Sequence, residues 1–221
     1  MKTRYRVQKL TENITIDAQW DKPQWTSVDA IEIGHVLGEE PAFIPDVQAK
    51  MQYDDQNIYV IFRVTDRHVR AVAQEIHGPV YEDSCVEFFF SPCPEKLLPY
   101  FNLEVNCGGT PLMSCNAIPR QASTAIDLED MARIEIAHTL PKIVDPEVTD
   151  PTIWTIEYRL PLNVLEEYAS CTHPQPGVTW RANFFKCGDK TSNPHWLTWS
   201  RISNHRLDFH QPEFFGHIIF D

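Results

Sequence analysis

The stretch from Val47 to Asp66, VQAKMQYDDQNIYVIFRVTD, decides the fold. Val47 to Tyr53 alternates apolar and polar residues, the period of a half-buried strand. Asp54, Asp55, Gln56 and Asn57 form a turn-prone cluster. Ile58 to Val64 is β-branched and aromatic, so it predicts a second strand folding back on the first. The pattern recurs outward from this hairpin. Strands are predicted at SCVEFFFS (84–91), YFNLEVNCGGTP (100–111), ARIEIAH (132–138), TIWTIEYRL (152–160) and TWRANFFKCG (179–188). HWLTWS (195–200) and FFGHIIF (214–220) close the chain, and shorter strands are expected at ITID (14–17) and AIEIG (30–34). The sum is about eleven strands, an all-β fold. One short helix is predicted over PLNVLEEYAS (161–170), with Pro161 at its start. Residues 116–130, NAIPRQASTAIDLED, read as a long loop.

Composition narrows the function. The 221 residues carry 43% hydrophobic and 11% aromatic side chains, enough for a packed core, and 17 prolines that fall mainly between the strands. Neither a repeat nor a linker-like break interrupts residues 1–221, so a single domain is expected. A net charge of −12 disfavours nucleic acid and anionic membranes, which bind clustered Lys and Arg. No apolar run approaches the roughly 18 residues of a membrane span. The basic start, MKTRYRVQKL, has no apolar core of a signal peptide. That fits a cytoplasmic protein, or an exported one whose signal lies outside this sequence. No pattern sets an oligomeric state.

The six cysteines form no CxxC pair and are expected as buried thiols. Cys107 and Cys115 flank the Gly-Gly turn and could bridge a hairpin. The nine histidines show no metal-ligand spacing, and His205 and His210 fall in a loop. Glu87 and Glu104 lie on neighbouring predicted strands. They are the pair a glycan-active enzyme would need, because glycosidases use two convergent carboxyl groups. A sugar-binding protein instead needs flat rings for the C–H faces and polar groups for the hydroxyl rim. Tyr81, Trp199 and Phe209 supply rings in loops. Glu87, Glu104, Asn106, Asn183 and Lys186 supply polar groups on strands. Each also has a plainer role available, as core aromatic or as the solvated side of a strand.

Ordered motifs favour the sugar reading. ITIDAQWDKPQWTSVDAIEIG (14–34), YDDQNIYVIFRVTD (53–66), YEDSCVEFFFSP (81–92), YFNLEVNCGGT (100–110), IWTIEYRLPLNVL (153–165), WRANFFKCG (180–188) and LTWSRI with FHQPEFFGHIIF (197–202, 209–220) follow one another along nearly the whole chain. In this order they resemble carbohydrate-binding module family 9, a β-sandwich with jelly-roll-like topology. The resemblance implies non-catalytic binding of the end of an oligosaccharide or polysaccharide, with a terminal sugar clamped between two aromatic rings. It matches Tyr81 to the first clamp residue, where the family usually has Trp, and Glu87 to the motif's final carboxylate. It matches Phe209 to the second clamp residue. The strand residues Arg-Val-Asn of family binders correspond to Glu104, Val105 and Asn106, so an acceptor replaces a donor. Arg206, near Phe209, is a candidate for the displaced cation. No cofactor is expected, although some members hold structural calcium, for which Asp54, Asp55 and Asp66 are candidates. Related sandwiches bind b-type haem through Met and His. Met51, Met113 and Met131 are the candidates for that alternative.

Overall fold

The structure is a computed structural model that describes residues 3–204 and 206–221. His205 lies outside the described residues. Sixteen strands are present among them. The first eight are β1 (Arg4–Lys9), β2 (Ile31–Glu32), β3 (His35–Val36), β4 (Asp46–Tyr53), β5 (Asn57–Asp66), β6 (Val69–Ala71), β7 (Cys85–Ser91) and β8 (Tyr100–Asn106). The rest are β9 (Pro111–Ile118), β10 (Ala122–Ala125), β11 (Glu135–His138), β12 (Val144–Val148), β13 (Thr152–Pro161), β14 (Thr179–Cys187), β15 (Trp196–Thr198) and β16 (Gly216–Phe220).

The strands form a β-sandwich of two leaves with jelly-roll-like topology. One leaf runs β10-β9-β8-β7-β14-β16-β1, and the other runs β1-β4-β5-β13-β11. Strand β1 belongs to both: Arg4–Val7 pair in parallel with β16, and Gln8 and Lys9 pair in parallel with β4. A small β6–β12 sheet lies beside them. Period-2 alternation sorts each strand into two faces. Val86, Phe88 and Phe90 of β7 and Phe184 of β14 face the other leaf, where they meet Val60, Phe62 and Val64 of β5 in the main core. Phe62 and Phe184 touch across the gap, ring centroids 6.0 Å apart.

Both outer faces carry apolar residues too, and chain segments cover them. Tyr59 and Ile61 on the outer face of the β5 leaf pack under Ile16, Trp25 and Val28 from the N-terminal segment. Phe89, Tyr100 and Phe185 on the outer face of the β7 leaf pack under Ile202, Phe209 and Phe215 from the C-terminal segment. The three-phenylalanine run therefore divides between two cores.

The predicted hairpin is β4 and β5, paired from Asp46–Thr65 to Tyr53–Ile58. The helix is there, as α3 (Leu162–Glu166), joined by two further short helices, α1 (Pro23–Thr26) and α2 (Leu128–Met131). Other expectations need correction. Residues 14–17 form no strand, because the adjoining amides of Asp17 and Ala18 donate to the Glu157 carboxylate at 2.9 and 2.8 Å instead of to a neighbouring strand. Residues 116–130 are not one loop. They hold the end of β9, strand β10 and α2. Cys107 and Cys115 form no bridge, and both are free thiols. The register explains this, since Cys115 stands opposite Phe101 and not opposite Cys107. Gly109 makes that turn at φ +81, where a Cβ would lie 2.3 Å from the His138 ring.

Candidate functional site

A cleft of about 640 Å³ opens on the outer face of the β7 leaf, beside the C-terminal cover. Its floor is a set of cross-strand neighbours. Glu87 stands opposite Glu104, and Phe89 opposite Asn102. Asn102 in turn stands opposite Ser114 of β9. The same period of two that buries Phe88 and Phe90 in the main core sends Glu87 and Phe89 to this side.

Tyr81 stands at the rim, 42% exposed, in a single 3-10 turn (Val80–Glu82). The acidic and hydroxyl residues after it build that turn. The buried Asp83 carboxylate accepts from the Val72 and Ala73 amides at 3.0 and 2.9 Å and pairs with Arg70 at 3.2 Å. Ser84 Oγ accepts the Arg70 amide. The Tyr81 carbonyl accepts the Asp189 amide at 3.2 Å, which ties the rim to the loop after β14. Phe209 also lines the cleft, yet only 7% of it is exposed. Its ring stacks on Phe185, centroids 4.1 Å apart and planes 17° apart. Trp196 adds a third ring and donates its indole N–H to Asp189 at 2.8 Å.

The floor's polar chemistry is acidic. Asn116 donates to Asn102 at 2.7 Å, and Asn102 donates to Glu104 Oε1 at 2.8 Å. Glu104 Oε2 has no hydrogen-bond partner among the described residues. Glu87 accepts from the Cys187 thiol at 3.1 Å. Burial pushes the Glu104 carboxyl up to about 7. Burial, and next to it the Glu104 charge, pushes Glu87 well above the usual carboxylate range. Burial also raises Asp189.

Arginine reaches this cleft from an unexpected element. Arg120, in the β9–β10 turn, donates through Nε and an Nη to Asp208 Oδ1 at 3.0 and 2.7 Å. Burial pushes the Asp208 carboxyl up, but the Arg120 hydrogen bonds and the His210 amide outweigh it, and it lies below its ordinary value. His210 meets the Tyr100 hydroxyl at 2.5 Å, and burial with the Arg120 charge lowers it to about 4, so it is neutral at pH 7.

The cleft thus gathers Tyr81, Glu87, Glu104 and Phe209 from the sequence-predicted set. Two members stand elsewhere. Asn106 is fully buried and does not line the cleft. Its amide donates to the Ala73 carbonyl at 3.0 Å and to Asp83 at 2.9 Å, and its carbonyl oxygen accepts the Thr110 amide. Arg206 pairs with Asp208 at 2.8 Å, outside the lining. Trp199 packs edge-on against Phe184 in the main core. Asn183 is bound to Ser200. Lys186 faces the other leaf and pairs with Asp66 at 3.0 Å, beside a neutral His195. The sequence reading missed Asn102, Asn116, Arg120, Asp189 and Trp196. Asn102 carried a usable signal, since it lies two residues before Glu104 on one strand and shares its face.

The calcium candidates are each engaged separately. Asp54 accepts from Gln56, Asn57 and Tyr59, Asp55 pairs with Lys9 at 2.6 Å, and Asp66 holds Lys186. Cys85, Glu87 and Cys187 do come together, with ligand atoms within 4.8 Å of one another. Both thiols are held protonated by burial, Cys85 pushed up to about 12, so a thiophilic cation would have to displace their protons. Met51, Met113 and Met131 sit in the main core, away from the cleft lining. Among the described residues no helix is long and apolar enough to cross a membrane.

A two-leaf β-sandwich with an aromatic and acidic cleft on one outer face defines the class. The model of carbohydrate-binding family 9 matches residues 20–220, and the chain belongs to that family. Among solved structures it is similar to a Bacteroides uniformis protein whose carbohydrate-binding role is itself an assignment. The two chains are 26% identical, with 100% of each covered and a TM-score of 0.89. It also resembles a family 9 module from Caldicellulosiruptor kristjanssonii, solved with cellotriose (16% identity, 99% of this chain and 93% of that one, TM-score 0.66). The match to a family 9 module of the same organism solved with glucose is 17% identical over 99% of this chain and 96% of that one, again with a TM-score of 0.66. No curated protein matches the chain significantly in sequence.

Proposed function

We propose that the cleft binds the terminal sugar of a glycan without transforming it. Binding carbohydrate is the family's role, and the neighbours solved with cellotriose and glucose carry the same fold. The observation that carries the reading for this chain is the pairing of an exposed ring, Tyr81, with a buried carboxylate, Glu104, whose second oxygen has no partner. A sugar supplies what both lack: an apolar face for the ring and hydroxyl donors for acceptors. Tyr81 and Phe209 are the clamp residues of this reading. Glu87, Glu104 and Asn102 address the hydroxyl rim, and Arg120 donates from the opposite side. Asn106 acts indirectly, by holding Asp83 and through it the turn that presents Tyr81.

Isothermal titration with glucose and cellotriose tests this. Wild-type protein should give saturable heat, and Tyr81→Ala should weaken it about tenfold, roughly 1.4 kcal/mol. No heat with any mono- or oligosaccharide would sink the reading, as would an unchanged affinity in both Tyr81→Ala and Glu104→Gln.

A further inference from the structure

We propose that this cleft prefers a sugar bearing a protonated amino group, an amino-hexose residue, over its neutral counterpart. The inference rests on the sugar-binding reading and names the ligand's charge.

Four carboxyl groups line the cleft: Glu87, Glu104, Asp189 and Asp208. Only Asp208 is matched by cations, taking Arg120 on one oxygen and Arg206 on the other. That match uses up the one guanidinium in the lining. Glu87, Glu104 and Asp189 have no ion-pair partner among the described residues. Glu87 and Glu104 are worse placed than three scattered acids. They are directly opposed on adjacent strands, and each is at least 95% buried. Directly opposed side chains in an antiparallel pair have Cβ atoms only about 5 Å apart, and like charges there are destabilising. The Arg120 charge reaches Glu104 but is already held by Asp208, and the other neighbours add none. Cys85 and Cys187 are protonated thiols, His210 is neutral, and Asp189 is a third acid.

Ligand classes differ in what they can do here. Uronic acids, sulfated sugars and sugar phosphates would add negative charge to an acidic floor. A neutral sugar satisfies acceptors with O–H donors but brings no charge that would let both carboxyls ionise. A primary ammonium supplies three N–H donors and the missing positive charge together. In its absence the pair retains a proton. When the ammonium binds, that proton leaves the carboxyls for solvent, so binding and proton release are linked.

The experiment is calorimetric titration of the full chain, freed of metal with a chelator, at pH 7 and low salt. The probes are glucosamine, glucose, N-acetylglucosamine and cellotriose. N-acetylation keeps the nitrogen and removes its charge. Glucosamine should bind about tenfold more tightly than glucose or N-acetylglucosamine. The advantage should shrink as salt rises. Measured in two buffers of different ionisation enthalpy, glucosamine binding should release protons and glucose binding should not. Glu104→Gln and Glu87→Gln should each weaken glucosamine by more than they weaken glucose, and so abolish the preference, with melting curves confirming that both fold. Equal affinities, or tighter glucose, would overturn this inference and leave the sugar-binding reading standing. Failure of every probe would overturn both. Calcium that binds tightly and displaces glucosamine would also overturn it, by making the acidic pair a metal site.

Discussion

Each leaf of the sandwich hides a carboxylate on its outer face beneath a covering segment, and the two are treated in opposite ways. Glu157 of β13 lies under the N-terminal cover. It accepts the amides of Asp17 and Ala18, the Trp25 indole N–H and the Lys22 ammonium, all within 2.9 Å. Ala18 is held at φ 60, a left-handed conformation that a non-glycine residue rarely adopts, by the same carboxylate. Glu104 of β8 lies near the C-terminal cover with one donor, Asn102, and a second oxygen unpartnered. Both are buried acids on strands. One is a rivet that fixes a segment, and the other is a vacancy in the chain's own hydrogen bonding. Burial alone does not mark a functional acid. Burial that the protein leaves uncompensated is what singles Glu104 out as the candidate for a ligand.

The largest effect should come from breaking the rivet. Glu157→Gln leaves the Lys22 ammonium without its buried counter-charge and removes acceptor strength from three other donors. Chemical denaturation should show a loss of about 3–5 kcal/mol, the cost of breaking one partner from a buried ion pair. Glu104→Gln should do the reverse, leaving stability unchanged or raised at pH 7 while weakening sugar binding by about 2 kcal/mol, read by calorimetry. A Glu104→Gln protein as unstable as Glu157→Gln would erase the distinction.

Next in size is a pH effect. The Glu104 carboxyl titrates near 7 in the folded chain against an ordinary value of 4.5. Glu104 therefore binds more proton in the folded state between these values, and its own contribution to stability falls as pH rises from about 4.5 to about 7. His195 and His210, lowered by burial to about 3 and about 4, act in the opposite sense below about 6.5, so the Glu104 effect is read as a difference between two proteins. The melting temperature of Glu104→Gln should gain on that of wild-type protein as pH rises across the window, and a constant difference would contradict the raised carboxyl. The smallest effect on folding is at the rim. Tyr81→Ala should leave the melting temperature within about 2 °C, because substitutions at exposed positions are usually within about 0.5 kcal/mol, while costing affinity. A large drop in stability would make Tyr81 a structural residue.

How far the sequence disclosed this follows from sequence distance. The β4–β5 hairpin is local, and its turn chemistry and alternation are both visible in one short stretch. Tyr81 and Glu87 were legible for the same reason, six residues apart on a turn and the strand it feeds. Strand β1 was not, because its partners β16 and β4 are supplied by other parts of the chain, up to 213 residues away in register. A basic, mixed segment gains strand identity only from such partners. Arg120 was hidden by the misreading of residues 116–130 as a loop, which concealed the β9–β10 hairpin that carries it to the cleft. Asn106 and Lys186 looked equivalent to Glu104 as polar strand residues. Only the register separates them, sending Lys186 to the opposite face and enclosing Asn106 behind Asp83.

The dual allegiance of β1 has a mechanical consequence. Its first half runs parallel to β16, with Arg4 beside His217 and Val7 beside Phe220. A pull applied between the two ends of the chain would slide these neighbours lengthwise past each other. Every bond in that ladder then carries load together, and none can be peeled open in turn. The join is therefore strongest against traction along the line of its own strands.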